Sequence, residues 1–370
     1  MLLKNITVAC SVLMALFAAL PLAAQSGEAR PEEEVVVFEE KVHDFGDILV
    51  SDKSVSCKFL FTNVSSTPVV VHNVVSSCGC TVPEWTREPI KPGAKGAIEV
   101  TYKNDQGAYP FNKSITAYIS GINRPVVLHI KGVVYSRKMT LKEIYTNRIG
   151  TALGIREGTL MLGNMYQGKT RSDATSIANL GKKPVKVEVV SDNPALTFAV
   201  TPNPVPAGEK ASLTYTVNTA VGQKQWGRTE YTGHFVVDGV KAEETVRVVA
   251  NIADDFDGYT QAMRDKAPVP GFEKGYLDIG EVEKGVEVSH TIVVKNTGKT
   301  PLTIYKADSD DSRTDILTPT PLKVAPGKSA EIKIKYSTAT QTGEFVSIVT
   351  LTTNSPLRPR LDFFINGAIK

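Results

Sequence analysis

The sequence predicts an all-β chain of three tandem immunoglobulin-like antiparallel β-sandwiches in an elongated arrangement. Three observations predict it. The same pattern restarts at Gly46, Gly163 and Gly280, and 163 − 46 and 280 − 163 both give 117 residues. Apolar residues recur with period two along most of the chain, as in Val55, Cys57, Phe59 and Phe61, or Ile332, Ile334 and Tyr336. Polar turn residues return about every 8–12 positions with no amphipathic helix between them, which is the spacing of short strands in sandwiches of roughly 100 residues.

The chain begins Met1-Leu2-Leu3-Lys4, continues through the apolar run Ile6 to Leu20 and leaves it through Pro21-Leu22-Ala23-Ala24-Gln25. One basic residue, an apolar core too short to span a bilayer comfortably and small residues at the exit describe a secretory signal peptide over residues 1–24. Export is therefore expected. Cys10 sits inside the apolar core after Thr7-Val8-Ala9, not beyond it, which disfavours lipid attachment there. No later segment has the roughly 20 apolar residues of a membrane helix. Residues 25–34, with Glu32-Glu33-Glu34, are expected to form a disordered lead-in.

The three modules are then expected at 35–135, 158–253 and 272–370, joined by linkers at 136–157 and 254–271. Each opens with a glycine-punctuated strand, HDFGDI, LMLGNM or LDIGEV. A second apolar strand runs into an Asn-led turn, with Asn63, Asn179 and Asn296 lying 17, 16 and 16 residues past the glycine. A Pro/Gly turn follows and feeds an alternating strand that ends at Tyr102, Val217 or Tyr336, nine residues past Gly93, Gly208 or Gly327. Pro92-Gly93 and Pro326-Gly327 suit a type II turn, whereas Pro206-Ala207-Gly208 suits type I. The first linker is mixed and basic and has room for a further strand; the second has one short helical stretch, Tyr259 to Lys266.

Charge excludes one class of partner. The formal net charge is +3, or about +2 without Lys4, on about 80 interspersed charged residues. Such a balance argues against a nucleic-acid or anionic-lipid surface.

The main chemical candidate is Ser76-Ser77-Cys78-Gly79-Cys80-Thr81, after the strand Val69 to Val75 and before Trp85. With Cys57 it makes three cysteines in the exported chain, an odd number for an oxidising compartment. Cys57 lies on the inward face of its strand, so a bridge from it to the Cys-Gly-Cys is one reading. A Cys78–Cys80 bridge, closing a tight and reactive ring, is another. A thiol redox pair, a soft-metal site and a thiol for attachment also stay open. Metal binding would need further ligands, and His43 and His72 are the imidazoles of that domain.

Catalytic signals are weaker. No GxSxG, HExxH, P-loop or dinucleotide fingerprint occurs, so no enzyme activity, cofactor or metal centre is expected. Asp308-Ser309-Asp310-Asp311 and Asp254-Asp255-Phe256-Asp257-Gly258 resemble fragments of calcium loops but do not continue into complete ones, which favours solvated acidic loops. Trp85 and Trp226 are sugar or peptide platforms, or rings that pin a loop to its sandwich.

With DFG, N-x-S-x-x-P, SCGCT and PIxPG in order, residues 38–134 resemble the bacterial domain of unknown function 1573 family, DUF1573. The middle copy, with Gln225-Trp226-Gly227 and Ala250 to Phe256, is similar to the second unit of multi-domain members. The modules are also similar to Ig-like domains of major sperm protein and cilia-associated proteins, which act mainly as binding scaffolds. The third copy departs from the signature, with Ala307-Asp308-Ser309-Asp310-Asp311 in place of Cys-x-Cys, which confines any thiol function to the first. The resemblance implies an exported protein of the periplasm or outer surface of a Gram-negative bacterium, with no assigned activity.

These readings converge on a non-enzymatic scaffold that binds another envelope protein through strand edges or end loops. Two alternatives remain. One is a thiol redox or copper-handling protein centred on Cys78 and Cys80; the other is a carbohydrate-binding module resting on the tryptophans and Tyr109/Phe111.

Overall fold

A computed structural model describes residues 30–122, 124–340 and 342–370. The expected signal peptide and residues 25–29 lie outside the described residues. The regular secondary structure of the described residues is almost entirely strand, in antiparallel sheets with a few parallel edges. The described residues up to Ser136 belong to one compact unit and those of Arg137–Lys370 to another.

In the first unit, one sheet sets Val36–Phe38, Ser54–Asn63, Lys95–Lys103 and Thr81–Trp85 side by side in that order. The other sets Val42–Leu49, Val126–Tyr135, Pro110–Ile119 and Val71–Ser76. Strand alternation turns Phe59, Phe61, Ile98, Val100 and Tyr102 of the first sheet toward Ile115, Ala117, Leu128 and Ile130 of the second. Each of the larger aliphatic and Phe side chains among these contributes about 1.5–3 kcal/mol on burial. Residues 30–34 are ordered, unlike the expected lead-in: Arg30 bridges to Ile122, Glu32–Glu34 form a 3-10 turn, and Glu32 pairs with Lys41 at 2.8 Å.

The second unit holds two separate cores. One lies between the sheet from Leu196–Thr201 through Lys210–Asn218, Thr170–Asn179 and Leu153–Ile155 to Asn147–Ile149 and the sheet of Thr159–Tyr166, Val240–Ala253, Gly227–Val237 and Val187–Val190. The other lies between Pro270–Phe272, Glu287–Asn296, Ser329–Ser337 and Thr314–Ile316 on one side and Tyr276–Val282, Arg360–Ile369, Gly343–Thr353, Leu302–Ser309 and Leu322–Val324 on the other. Leu153–Ile155 and Asn147–Ile149 thus turn part of the expected first linker into strands of the middle copy. The second linker carries a single helical turn, Gln261–Arg264.

The glycine restart has a structural cause. Gly46, Gly163 and Gly280 have φ of 66°, 80° and 65°, a region that glycine enters without Cβ strain. Each lies on an edge strand paired parallel to the last strand of its copy, at a register shift. Such a bulge twists an edge away from further pairing.

The Asn-led turns share a buried amide. Asn63 Nδ2 donates to Thr67 O and Ile90 O, both at 2.8 Å, and Asn179 Nδ2 donates to Lys183 O and Val205 O at 2.7 and 2.9 Å. Asn296 Nδ2 repeats the arrangement with Thr300 O and Val324 O at 2.9 and 3.0 Å. Each Oδ1 accepts a backbone N–H two residues on. One side chain therefore closes its own turn and ties it to the strand or loop that precedes the Pro/Gly turn.

At those Pro/Gly turns the middle copy departs from the type I expectation. Gly208 has φ 71° and Glu209 N donates to Pro206 O at 3.2 Å, so glycine occupies the third turn position as Gly93 and Gly327 do. The proline has moved one place earlier while the glycine has kept its place.

Candidate functional site

Ser77-Cys78-Gly79-Cys80 is the link by which the chain leaves Val71–Ser76 in one sheet and enters Thr81–Trp85 in the other. Cys78 and Cys80 form a disulfide across the single residue Gly79, with Cα atoms 5.3 Å apart. Ser76 Oγ donates to Cys78 O at 2.9 Å, and Lys103 N donates to Cys80 O at 2.8 Å, so the link is held at both ends. Cys78 is half-buried and Gly79 exposed, whereas Cys80 is only 5% exposed. Thr81 Oγ1 lies 3.4 Å from Cys78 Sγ and 3.9 Å from Cys80 Sγ.

Among the described residues Cys57 is the remaining thiol, buried and unbridged. Strand order explains why it does not pair with the Cys-Gly-Cys: Lys95–Lys103 stands between its strand and Thr81–Trp85. Two inter-strand steps span about 9–10 Å, and a disulfide bridges Cα atoms no more than about 7 Å apart. Burial, with smaller contributions from Glu40 and Glu99, pushes the Cys57 thiol up to about 12. It is a neutral core side chain.

Trp85 pins the same crossover. Its Nε1 donates to Val71 O at 3.1 Å, joining the strands on either side of the disulfide, and the Arg87 guanidinium lies 3.7 Å over its ring. His43 faces Glu40 at 2.9 Å and packs edge-on against Phe45, while His72 is exposed on Val71–Ser76. Among the described residues no three His, Cys, Asp or Glu side chains converge as metal ligands would. Tyr109 bonds Tyr102 and Gln106, and Phe111 stacks on Tyr102 at 3.9 Å.

The acidic runs are occupied by protein groups. Asp308 accepts from Arg228 N at 2.9 Å and pairs with Lys306 at 2.9 Å, Asp310 accepts from Ile348 N at 2.7 Å, and Asp311 pairs with Arg313. Asp254 accepts from Trp226 Nε1 at 2.9 Å and from Tyr305 OH at 2.7 Å. Trp226 is therefore a joint between the middle and third copies and not an open platform.

An exposed apolar row is a feature the sequence reading did not single out. On the outer face of the sheet that begins with Tyr276–Val282, Tyr276 and Ile348 both register with Phe364. Tyr276 is 49%, Phe364 43% and Val346, two residues before Ile348, 62% exposed. Beside it, the Gly280 bulge leaves a hollow of about 520 Å³ lined by Val346, Gly367, Asp278, Glu281 and Glu344. The first unit has a similar outer row, where Val75 and Val127 both register with Thr116 and Tyr118 stands two residues on, all three apolar side chains exposed. Strand alternation written out for the outward positions would have found both rows.

A family model described as a protein of unknown function, DUF1573, matches residues 36–134 and 271–369, together more than half of the chain. The chain belongs to the DUF1573 family. The middle copy lies outside both matches. The third copy matches without a Cys-x-Cys, so the DUF1573 framework of bulge glycine, buried Asn and Pro/Gly turn stands without the thiols.

Among solved structures, a protein of unknown function from Porphyromonas gingivalis W83 is similar at 16% identity over 59% of this chain and 99% of that one, with a TM-score of 0.46. A three-Ig fragment of titin is similar at 12% identity over 91% and 99%, TM-score 0.20. A PapD-like domain of human CEP192 is similar at 10% over 31% and 96%, TM-score 0.22. No curated protein matches. No helix among the described residues is long and apolar enough to cross a membrane.

Proposed function

We propose that this DUF1573 protein is an exported, non-catalytic Ig-like scaffold in the periplasm or on the outer surface of a Gram-negative bacterium, where it binds another envelope protein. The observation that carries the reading is the Tyr276–Phe364–Ile348 row with Val346 beside the hollow at Gly280. Contiguous exposed apolar side chains on a soluble surface mark interaction sites, and aromatic residues are the usual anchors. Asp278, Glu281 and Glu344 rim the hollow, against Lys370 paired with Glu281, so the fitting partner presents an apolar anchor flanked by basic side chains.

Export rests on the leader-like residues 1–24. The non-catalytic reading is supported by the fate of the polar clusters, whose side chains are consumed in structural hydrogen bonds and ion pairs. The carbohydrate alternative has lost its platforms, since Trp85, Trp226, Tyr109 and Phe111 are all packed or bonded within the protein.

The test places a photo-crosslinking amino acid at position 364 in the native host, with a control at exposed Lys224. A single partner captured from 364, not from 224, and lost in a Val346→Glu background supports docking on this face. Equal yields from both positions, or capture that survives Val346→Glu, counts against it. Recovery of the chain in the cytosol with residues 1–24 intact would sink the export reading.

A further inference from the structure

The Cys78–Cys80 disulfide poses a separate question, because it ties together nothing that is otherwise loose. Val71–Ser76 is held by its ladder to Pro110–Ile119, Thr81–Trp85 by its ladder to Lys95–Lys103, and the Trp85 indole joins the two across the link. The stabilisation a disulfide supplies grows with the length of chain it closes, and this one closes a single intervening residue. A structural staple is a poor description of it.

Its surroundings are asymmetric in a way that suits thiol chemistry. Cys78 is half-buried between exposed Ser77 and exposed Gly79, and a Cβ placed on Gly79 would have nothing within 4 Å, so an incoming sulfur has room on that side. Cys80 faces the core. The buried hydroxyl of Thr81 is set against both sulfurs. A hydroxyl in that position donates a hydrogen bond to whichever sulfur becomes a thiolate, and stabilising the departing thiolate speeds exchange.

We propose that Cys78–Cys80 is a thiol–disulfide exchange site whose co-substrate is a protein dithiol. A thiolate of that dithiol attacks Cys78 Sγ; the new intermolecular S–S bond forms as the Cys78–Cys80 bond breaks. The electron pair leaves on Cys80 Sγ, which accepts the Thr81 hydrogen bond and then a proton from solvent. The second thiol of the partner, deprotonated to solvent, attacks its own sulfur in the mixed disulfide and releases Cys78 as a thiolate that is protonated in turn. The partner dithiol is oxidised to a disulfide and Cys78–Cys80 is reduced to two thiols, a balanced two-electron, two-proton exchange. Cys57 takes no part, being buried on a strand two steps away. This chemistry does not depend on the docking face of the third copy.

The full exported chain is treated, oxidised and folded, with a reduced thioredoxin-type dithiol protein, quenched with iodoacetamide and weighed intact. One alkyl group is expected, on Cys78, because Cys80 at 5% exposure is as buried as Cys57 at 7%. Cys80 is expected to take a second, heavier alkylating reagent once the quenched protein is unfolded, and Cys57 unlabelled by iodoacetamide is the internal sign that the fold is intact. The same dithiol protein lacking its resolving cysteine is expected to be trapped on Cys78 at least tenfold more often than on Cys80. Thr81→Val is expected to slow the opening about tenfold and Thr81→Ser to restore it, with Cys57 still unlabelled in both. A bond that opens only when Cys57 also becomes reactive, or trapping on both sulfurs alike, would overturn the proposal. If Thr81→Ser opens as slowly as Thr81→Val, the hydroxyl has no role and that part of the mechanism falls.

Discussion

Trp226 and Tyr305 stack face to face, with centroids 4.4 Å apart and planes 14° from parallel, and their two polar hydrogens converge on the same carboxylate, Asp254. Trp226 immediately precedes the strand Gly227–Val237 of the middle copy, Tyr305 lies on Leu302–Ser309 of the third, and Asp254 follows Val240–Ala253 at the start of the connection. Around this centre, Lys306 donates to Arg228 O, Arg228 N donates to Asp308, and Arg360 reaches Asn164. The two cores of the second unit are thereby coupled through one aromatic pair and the carboxylate both rings share.

Tyr305→Phe keeps the stacking ring and deletes the bond to Asp254. A hydrogen bond to a charged group is worth about 1.5–3 kcal/mol, so a loss of about 2 kcal/mol at the joint is expected. Calorimetry should resolve the second unit into two transitions, with protease cutting first within 254–270. Gly227→Ala should act more strongly, since φ is 68° and the added Cβ would clash with Asp308 Oδ2. A single unshifted transition in both variants would mean that the joint contributes nothing to coupling.

Asn296→Ala removes two Nδ2 donors and one acceptor from a fully buried position, leaving Thr300 O, Val324 O, Gly298 N and Val269 N without those contacts. Buried polar groups left unsatisfied cost about 1–3 kcal/mol each, and partial access of water at the turn reduces the total to about 3 kcal/mol. Asn296→Asp keeps the acceptor but sets a carboxylate oxygen against the carbonyls of Thr300 and Val324 in a fully buried position, so it should be no more stable than Asn296→Ala. The check is the urea midpoint of the second unit, with an unchanged midpoint in Asn296→Ala counting against the shared pin.

Much of the fold is legible in the sequence because its determinants are local and repeated. A glycine that must take positive φ, an Asn that closes its own turn and alternating β-branched or aromatic residues all act within a few positions of themselves. The strand of the middle copy that corresponds to Val36–Phe38 is harder to see, because Leu153–Ile155 is three residues long, buried throughout and so lacks alternation. Its signal is the repeat itself: Val36, Leu153 and Pro270 begin equivalent strands, and 153 − 36 and 270 − 153 are both 117. The cysteine pairing is illegible for a different reason. Lys95–Lys103, which separates Cys57 from the Cys-Gly-Cys, comes later in the chain than both. The Trp226–Tyr305–Asp254 centre likewise joins residues that share no local pattern.

Replacing both Cys78 and Cys80 by serine separates a staple from an exchange site. For a loop of about three residues, chain-entropy reasoning gives a stabilisation of only about 1.5 kcal/mol, against the 2–5 kcal/mol typical of native disulfides in small secreted domains. The double variant should therefore unfold slightly earlier in urea and retain a buried, unreactive Cys57. A loss near 4 kcal/mol, or exposure of Cys57 without denaturant, would show that the bridge holds the crossover together after all.

Cys57 sets a pH dependence whose sign follows from its burial. The folded thiol titrates at about 12, above the ordinary value of 9.0. Between those values the folded state keeps a proton that the unfolded chain gives up, so stability is fully present below pH about 9 and falls as pH rises toward about 12. Cys57→Ala has no thiol to ionise. It should be less stable than the native protein at neutral pH, because a cavity replaces the sulfur, yet lose less stability per pH unit above 9. Several buried tyrosines add to the alkaline loss in both proteins, so the quantity to read is the difference between the two stability curves. Parallel curves from pH 8 to 11 would mean that the Cys57 thiol ionises as easily in the fold as out of it, and that the strand Ser54–Asn63 does not shield it.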